Sequence, residues 1–256
     1  MQCAPKKTLS TGRLNESVAA LAMLASLAGC GGKSLTVQII PPLVRPSHVS
    51  PAAPPAAAIL FHETFDRLDP SQWREVEVNG KTHFAIHTLE RGKVLKAHSR
   101  PGASILLHSF RFDPDTFEWL SWAWRVDRFV EKEDLRRKDG SDAPARVYVY
   151  FKTAGLPWQK RNIDYVWSRT LPVGTILDSA YSGASKIVVV DSGVEHQGEW
   201  RAVSRNIEDD YRMCFGDADP PDVLAIGLMA DADNTRSEAL AYFDDVAVSR
   251  EPPEPR

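Results

Sequence analysis

Cysteine is scarce in this chain of 256 residues, which holds only Cys3, Cys30 and Cys214. Three thiols cannot build the disulfide framework on which small exported domains lean, so the fold must rest on its apolar core. Long apolar runs are missing as well. The stretch from Val18 to Leu27 is too short to span a bilayer as a helix. No basic tract follows a phosphate backbone, and the formal net charge of −3 argues against a nucleic-acid partner. Catalytic signatures are absent too: there is no Gly-x-Ser-x-Gly elbow, His-Glu-x-x-His, P-loop or dinucleotide Gly-x-Gly-x-x-Gly. What is present is ordinary globular composition, 43% hydrophobic and 25% charged, enough for one large domain or two small ones.

The first 29 residues have the layout of an export signal. Lys6, Lys7 and Arg13 precede the apolar run, which ends in Leu27-Ala28-Gly29-Cys30. That ending resembles the lipobox of bacterial lipoproteins, in which the signal is cut before the cysteine and the thiol is lipidated. The resemblance implies Cys30 as the lipidation site and a membrane partner through the lipid anchor, since two or more acyl chains anchor stably. It further implies a cell-envelope location, at the outer membrane facing the periplasm, because no Asp retention signal follows Cys30. Residues 1–29 hold three basic and one acidic side chain. The remainder therefore has 28 basic against 33 acidic and is near −5. Cys214 would then be the only thiol of the domain, and its apolar surroundings predict a buried structural role. Residues 30–58, with Pro41-Pro42, Pro46, Pro51 and Pro54-Pro55, read as an extended spacer. Residues 250–256 read as a disordered tail. The folded domain is expected at 59–249.

Within that domain the dominant period is two. Leu120, Trp122, Trp124 and Val126 alternate with Ser121, Ala123 and Arg125, so the tryptophans are expected in a core. Val147, Val149 and Phe151 alternate with Tyr148, Tyr150 and Lys152. Similar runs recur between turn pairs such as Asn79-Gly80 and Pro101-Gly102. About a dozen short strands predict an all-β fold, an antiparallel β-sandwich or barrel. One short helix is expected at Ile207–Phe215, from Ile207, Tyr211 and Cys214/Phe215 at helical spacing. The charged stretch Glu131–Asp142 reads as a protruding, solvated hairpin loop.

Two ends of the domain resemble jelly-roll carbohydrate-binding modules: Phe61-His-Glu-Thr-Phe-Asp66 followed by Trp73, and Tyr242-Phe-Asp-Asp-Val246. The resemblance implies a jelly-roll sandwich whose first and last strands pair. It also implies a structural calcium at their carboxylates, Glu63 with Asp244 or Asp245. Adjacent strand residues point to opposite faces, so Asp244 and Asp245 meet at one spot only across a bulge. The segments Val147–Phe151, Asn162–Trp167, Trp200 through Asp209-Asp210-Tyr211, and Asp231–Thr235 are similar to the bacterial domain-of-unknown-function family numbered 3047. That similarity spans nearly all of Ile59–Val248 and implies a β-sandwich of unassigned activity.

Three functions remain open. A glycan-binding module would use Tyr148, Tyr150, Tyr165 and Trp167, with Trp158 nearby, as an aromatic platform and Asn162 and Asp164 as polar partners, because sugar C–H faces lie on aromatic rings. The alternative is that these rings are core. A polysaccharide hydrolase would need two carboxylates across a cleft, roughly 5–10 Å apart; the Glu-x-Asp-x-x-Glu strand signature of some sandwich glycosidases is absent. A structural envelope protein would need neither. Asp231-Ala-Asp233-Asn234-Thr235 is a second oxygen-rich loop, equally explained by Asx-turn chemistry. His83 and His87 would share a strand face, and the scattered histidines read as surface or hydrogen-bonded residues.

Overall fold

The computed structural model describes residues 58–153, 161–216 and 219–253. Cys30 and the export signal, all of the spacer but Ala58, Trp158 and the last three residues of the tail lie outside the described residues. The strands in chain order are β1 Ile59–Glu63, β2 Trp73–Asn79, β3 Thr82–Leu89, β4 Gly92–Ser99, β5 Ala103–His108, β6 Trp119–Arg128 and β7 Ala145–Phe151. They continue with β8 Asn162–Ser168, β9 Ile176–Ser179, β10 Ser182–Ser192, β11 Arg201–Asn206, β12 Val223–Met229 and β13 Ala239–Ser249. One helix, α1, covers Ile207–Phe215, the span the sequence predicts.

These strands make a β-sandwich of jelly-roll type. The first sheet runs β11-β6-β13-β4-β3, with β1 also on β13; the second runs β2-β5-β12-β7-β8-β10-β9. Every pairing is antiparallel except β8 with β10, which is parallel. That corrects the wholly antiparallel expectation. The short strand β9 pairs with the far edge of β10, so the chain returns to β8 in the same direction it left. Sequence periodicity carries no sign of strand direction.

The inner faces share one core. Trp122 and Trp124, at 2% and 0% exposure, pack edge-on at 5.4 Å. Trp122 lies 5.4 Å from Tyr165 and Trp124 lies 5.9 Å from Trp167 on the facing sheet. Helix α1 caps one end with Ile207 and Tyr211 buried. The Asn206 side chain accepts from Asp209 N at 2.9 Å, and Gly216 ends the helix at φ 69°. Asn206→Ala is expected to cost about 1 kcal/mol, read by chemical denaturation. Cys214 on this helix is half-buried, and burial pushes its thiol up to about 12.

The charged stretch 131–142 does not protrude. Leu135 and Asp142 are fully buried and Glu133 and Ser141 are nearly so. Leu135 joins Leu171, Val166, Ile187 and Val189 in a second apolar cluster on the outer face of β8 and β10. Glu133 fastens the loop there, accepting from Ser168 Oγ and from Arg169 N at 2.9 Å. One leucine and one buried carboxylate thus turn a charge run into a cover over half of the outer face. Elsewhere on that face Val76 of β2, Ile105 and Leu107 of β5 and Tyr150 of β7 stay only partly buried.

Candidate functional site

The β7–β8 register decides which predicted residues meet. Val147 faces Tyr165, Tyr148 faces Asp164 and Tyr150 faces Asn162 across the strands. Cross-strand partners lie on the same side of a sheet, so Tyr148, Tyr150, Asn162 and Asp164 share the outer face. Tyr165 and Trp167 have the opposite parity. Both are 0% exposed inside the sandwich, which corrects their assignment to a surface platform. Their polar ends are satisfied there: the Tyr165 hydroxyl donates to Asp210 at 2.8 Å and Trp167 Nε1 donates to the Gly193 carbonyl at 3.0 Å.

On the outer face the half-buried rings of Tyr148 and Tyr150 stack, with centroids 5.6 Å apart and planes 19° from parallel. The space for them comes from Gly227, which pairs with Tyr148 on the neighbouring strand. A Cβ at Gly227 would meet Ile105 Cγ2 at 2.7 Å, Tyr148 Cβ at 3.4 Å and Tyr150 Cε2 at 3.5 Å. A glycine alone inside the apolar run Val223–Met229 was the available sign of such a close approach. Gly227→Val is expected to displace Ile105 and Tyr150 and to destabilise the domain by roughly 1–3 kcal/mol, measured by urea unfolding.

Beside Tyr150 lies a groove of about 350 Å³. Val76, Ile105, Leu107 and Leu224 form its apolar lining, and Arg74 and Ser109 are its polar members. Strand β2, which supplies Arg74 and Val76, was not among the strands read from the sequence. It is an edge strand on which Glu75 and Glu77 take the inward parity, so its pattern does not look half-buried.

Asp164 is not free to serve a ligand in this groove. At 2% exposure it is ion-paired to Arg146, which also donates from Nε to Asp231 at 2.8 Å and from Nη2 to the Ser141 carbonyl at 2.9 Å. Burial raises the Asp164 carboxyl, opposed by Arg146. Asn162 is half-buried and accepts from Ser185 Oγ at 2.7 Å. The two predicted polar partners therefore brace the sheet, Asn162 through Ser185 and Asp164 through Arg146, which was not singled out from the sequence.

The terminal strands pair as the sequence predicts, with His62 opposite Ala247 and Glu63 opposite Val246. A register shift falls between Asp244 and Ala247, and Asp245 has φ 50°. Through this bulge both carboxylates reach one guanidinium: Arg91 Nε meets Asp244 at 3.0 Å and Arg91 Nη2 meets Asp245 at 2.6 Å. Glu63 is held elsewhere, accepting from Trp73 Nε1 at 2.9 Å and Phe65 N at 2.8 Å. Among the described residues, the three-carboxylate group with oxygens within 4.8 Å is Asp142, Asp231 and Asp233. There Asp142 already accepts from the backbone N–H and side chains of Asn234 and Thr235, and Asp231 from Ala143 N and Arg146. Both carboxylate sets hold arginine and protein N–H or O–H donors. Asp244 Oδ1 is buried without a hydrogen-bond partner, but with these donors in place neither set offers the six to eight oxygen ligands of a Ca²⁺.

A family model described as "Protein of unknown function (DUF3047)" matches residues 71–247. No curated protein matches the sequence. Among solved structures, the chain is similar to a family 30 carbohydrate-binding module of a cellulosomal cellulase of Clostridium thermocellum. The identity is 12% and the TM-score 0.42, over 75% of this chain and 99% of that one. It is also similar to the cellulose induced protein Cip1, at 10% identity and TM-score 0.43, over 75% and 97%. A non-crystalline cellulose specific carbohydrate-binding module, CBM28, gives 12% and 0.38, over 78% and 99%. At these scores the likenesses decide nothing about ligand or site.

Proposed function

The chain belongs to the DUF3047 family, and from that premise we propose that its sandwich binds a glycan, without catalysis, on the second sheet's outer face. The observation that carries this reading is the stacked Tyr148/Tyr150 pair beside an apolar groove. A pyranose presents C–H groups on its flat faces, which lie favourably on an aromatic ring and aliphatic neighbours. Tyr150 supplies the ring, Ile105, Leu107 and Val76 the apolar floor, and Arg74 and Ser109 the hydrogen-bonding edge. Binding is favoured over hydrolysis because no carboxylate lines the groove, and the acids at its margins, Asp164 and Asp222, are ion-paired to Arg146 and Arg111. An acid pair has no place to act there. The same proposal includes anchoring: lipid on Cys30 would hold the domain in the cell envelope, at the outer membrane, where polymeric glycans are available.

Affinity electrophoresis of the full chain through gels containing soluble polysaccharides tests the reading. Wild-type protein is expected to be retarded by at least one polymer. Tyr150→Ala is expected to lose that retardation by about tenfold in affinity or more, while the variant stays folded at the assay temperature despite the lost ring packing. Equal retardation of the variant would remove the groove from the account.

A further inference from the structure

The groove's polar equipment is one-sided. Neutral sugars present hydroxyls that both donate and accept, and protein sites for them pair donors with acceptors such as carboxylates and amides. Here the charged member is Arg74, an exposed guanidinium with five N–H donors and no ion-pair partner among the described residues. Ser109 adds one hydroxyl, and none of the lining side chains is a carboxylate.

Three acids near this face are held by other groups, and the exposed Glu77 takes the parity opposite to Arg74. Glu75 has the parity opposite to Arg74 and accepts from Ser104 Oγ at 2.7 Å. Asp164 is buried against Arg146. Asp222, just before Leu224 of the groove, is shared between Arg111 and Lys152, whose side chains are 61% and 55% exposed. Phe112 bridges Val223, so this doubly cationic pair sits at the Ser109 and Leu224 end of the same groove. Arg74 stands in the groove and Arg111 and Lys152 share Asp222 at its end, on a chain that is formally −3 as a whole. A lone guanidinium on an acidic protein selects a ligand rather than binding polyanions in general.

We infer that the ligand class of the groove is an anionic glycan, one carrying carboxylate or sulfate groups, with Arg74 as the residue that reads the anion while Tyr150 holds the ring. This rests on the glycan-binding reading above and names its ligand class. A planar guanidinium engages a carboxylate or sulfate through two parallel hydrogen bonds, which an ammonium cannot reproduce.

The test uses one backbone in three forms: carboxymethyl cellulose, cellulose sulfate and neutral hydroxyethyl cellulose, each titrated into the full chain by calorimetry, with alginate as a natural uronate. Either anionic form, or alginate, is expected to bind about tenfold tighter than the neutral one, and to weaken as salt rises from 50 to about 300 mM. Preference among carboxylate, sulfate and uronate identifies the source of the anion. Arg74→Ala is expected to erase the preference, leaving residual Tyr150-dependent binding, and Arg74→Lys to restore it only in part. Arg74 is exposed on an edge strand, so unchanged melting temperatures are expected for both. Equal affinity for neutral and anionic forms, unaffected by Arg74→Ala but lost in Tyr150→Ala, would overturn the anion inference and leave glycan binding standing. Absence of Tyr150-dependent binding to every polymer would overturn both.

Discussion

Arg146→Ala is expected to lower the unfolding free energy by roughly 3–5 kcal/mol, the range for removing one partner of a buried ion pair. Arg146 is 3% exposed and joins Asp164, Asp231 and the Ser141 carbonyl. Its loss strands two carboxylates of comparable burial and frees the loop that covers β8 and β10. Exposed pairs such as Arg137 with Asp139 give the contrast, since charges in water at 67% and 72% exposure are screened. Arg137→Ala should change stability by less than about 0.5 kcal/mol. Urea denaturation of the two variants checks the pair, and a cost below 1 kcal/mol for Arg146→Ala would mean that this network is not a brace.

The same network makes stability depend on pH. Asp231 is pushed up to about 7, first by burial and then by Asp142 beside it, with Arg146 pulling the other way. Asp244 is pushed up to about 6, again by burial first, with its backbone neighbour and Arg91 opposing. A carboxyl raised on folding holds its proton in the native state at pH values where the unfolded chain has released it. The unfolding free energy is therefore highest near the unfolded value of about 4, and falls as pH climbs through 6 to 7. Between pH 5.5 and pH 8 the expected loss is roughly 2 kcal/mol, mostly from Asp231, because Asp244 lines an open pocket and solvent screens it. Glu238 runs the other way: hydrogen bonds from His98 and Arg100 and the charge of Arg128 hold it at about 2, so its contribution disappears only in strong acid. Melting curves across pH 5–8 read the effect. A flat profile, or one indifferent to Asp231→Asn, would contradict it.

Much of the fold was legible because a strand with one buried face writes its period into the chain. Leu120–Val126 did so, and α1 was readable from Ile207, Tyr211 and Cys214/Phe215 at helical spacing. The terminal-strand pairing was implied by the resemblance of the two domain ends to jelly-roll modules, and a bulge was the condition for Asp244 and Asp245 to meet. What the sequence did not contain was register and cover. Tyr148 and Trp167 are both aromatics in β-rich runs, and only the pairing of Val147 with Tyr165 sends one outward and the other into the core. Leu135 is a single apolar residue in a charged stretch, too little to announce that the stretch folds down over Val166 and Ile187. Arg74 was hidden because β2 is an edge strand with carboxylates at its inward parity, and edges do not obey the half-buried pattern. The candidate site was therefore half visible: the tyrosine pair from the sequence, its groove and its arginine from the structure.

Amide hydrogen exchange, with and without a saturating polysaccharide that retards the wild-type protein, locates the bound ligand most directly. The account predicts added protection in peptides covering β2, β5, β7 and β12 around Arg74, Leu107, Tyr150 and Gly227, with the first sheet unchanged. Protection confined to the first sheet, around Lys96 and Tyr242, would contradict it.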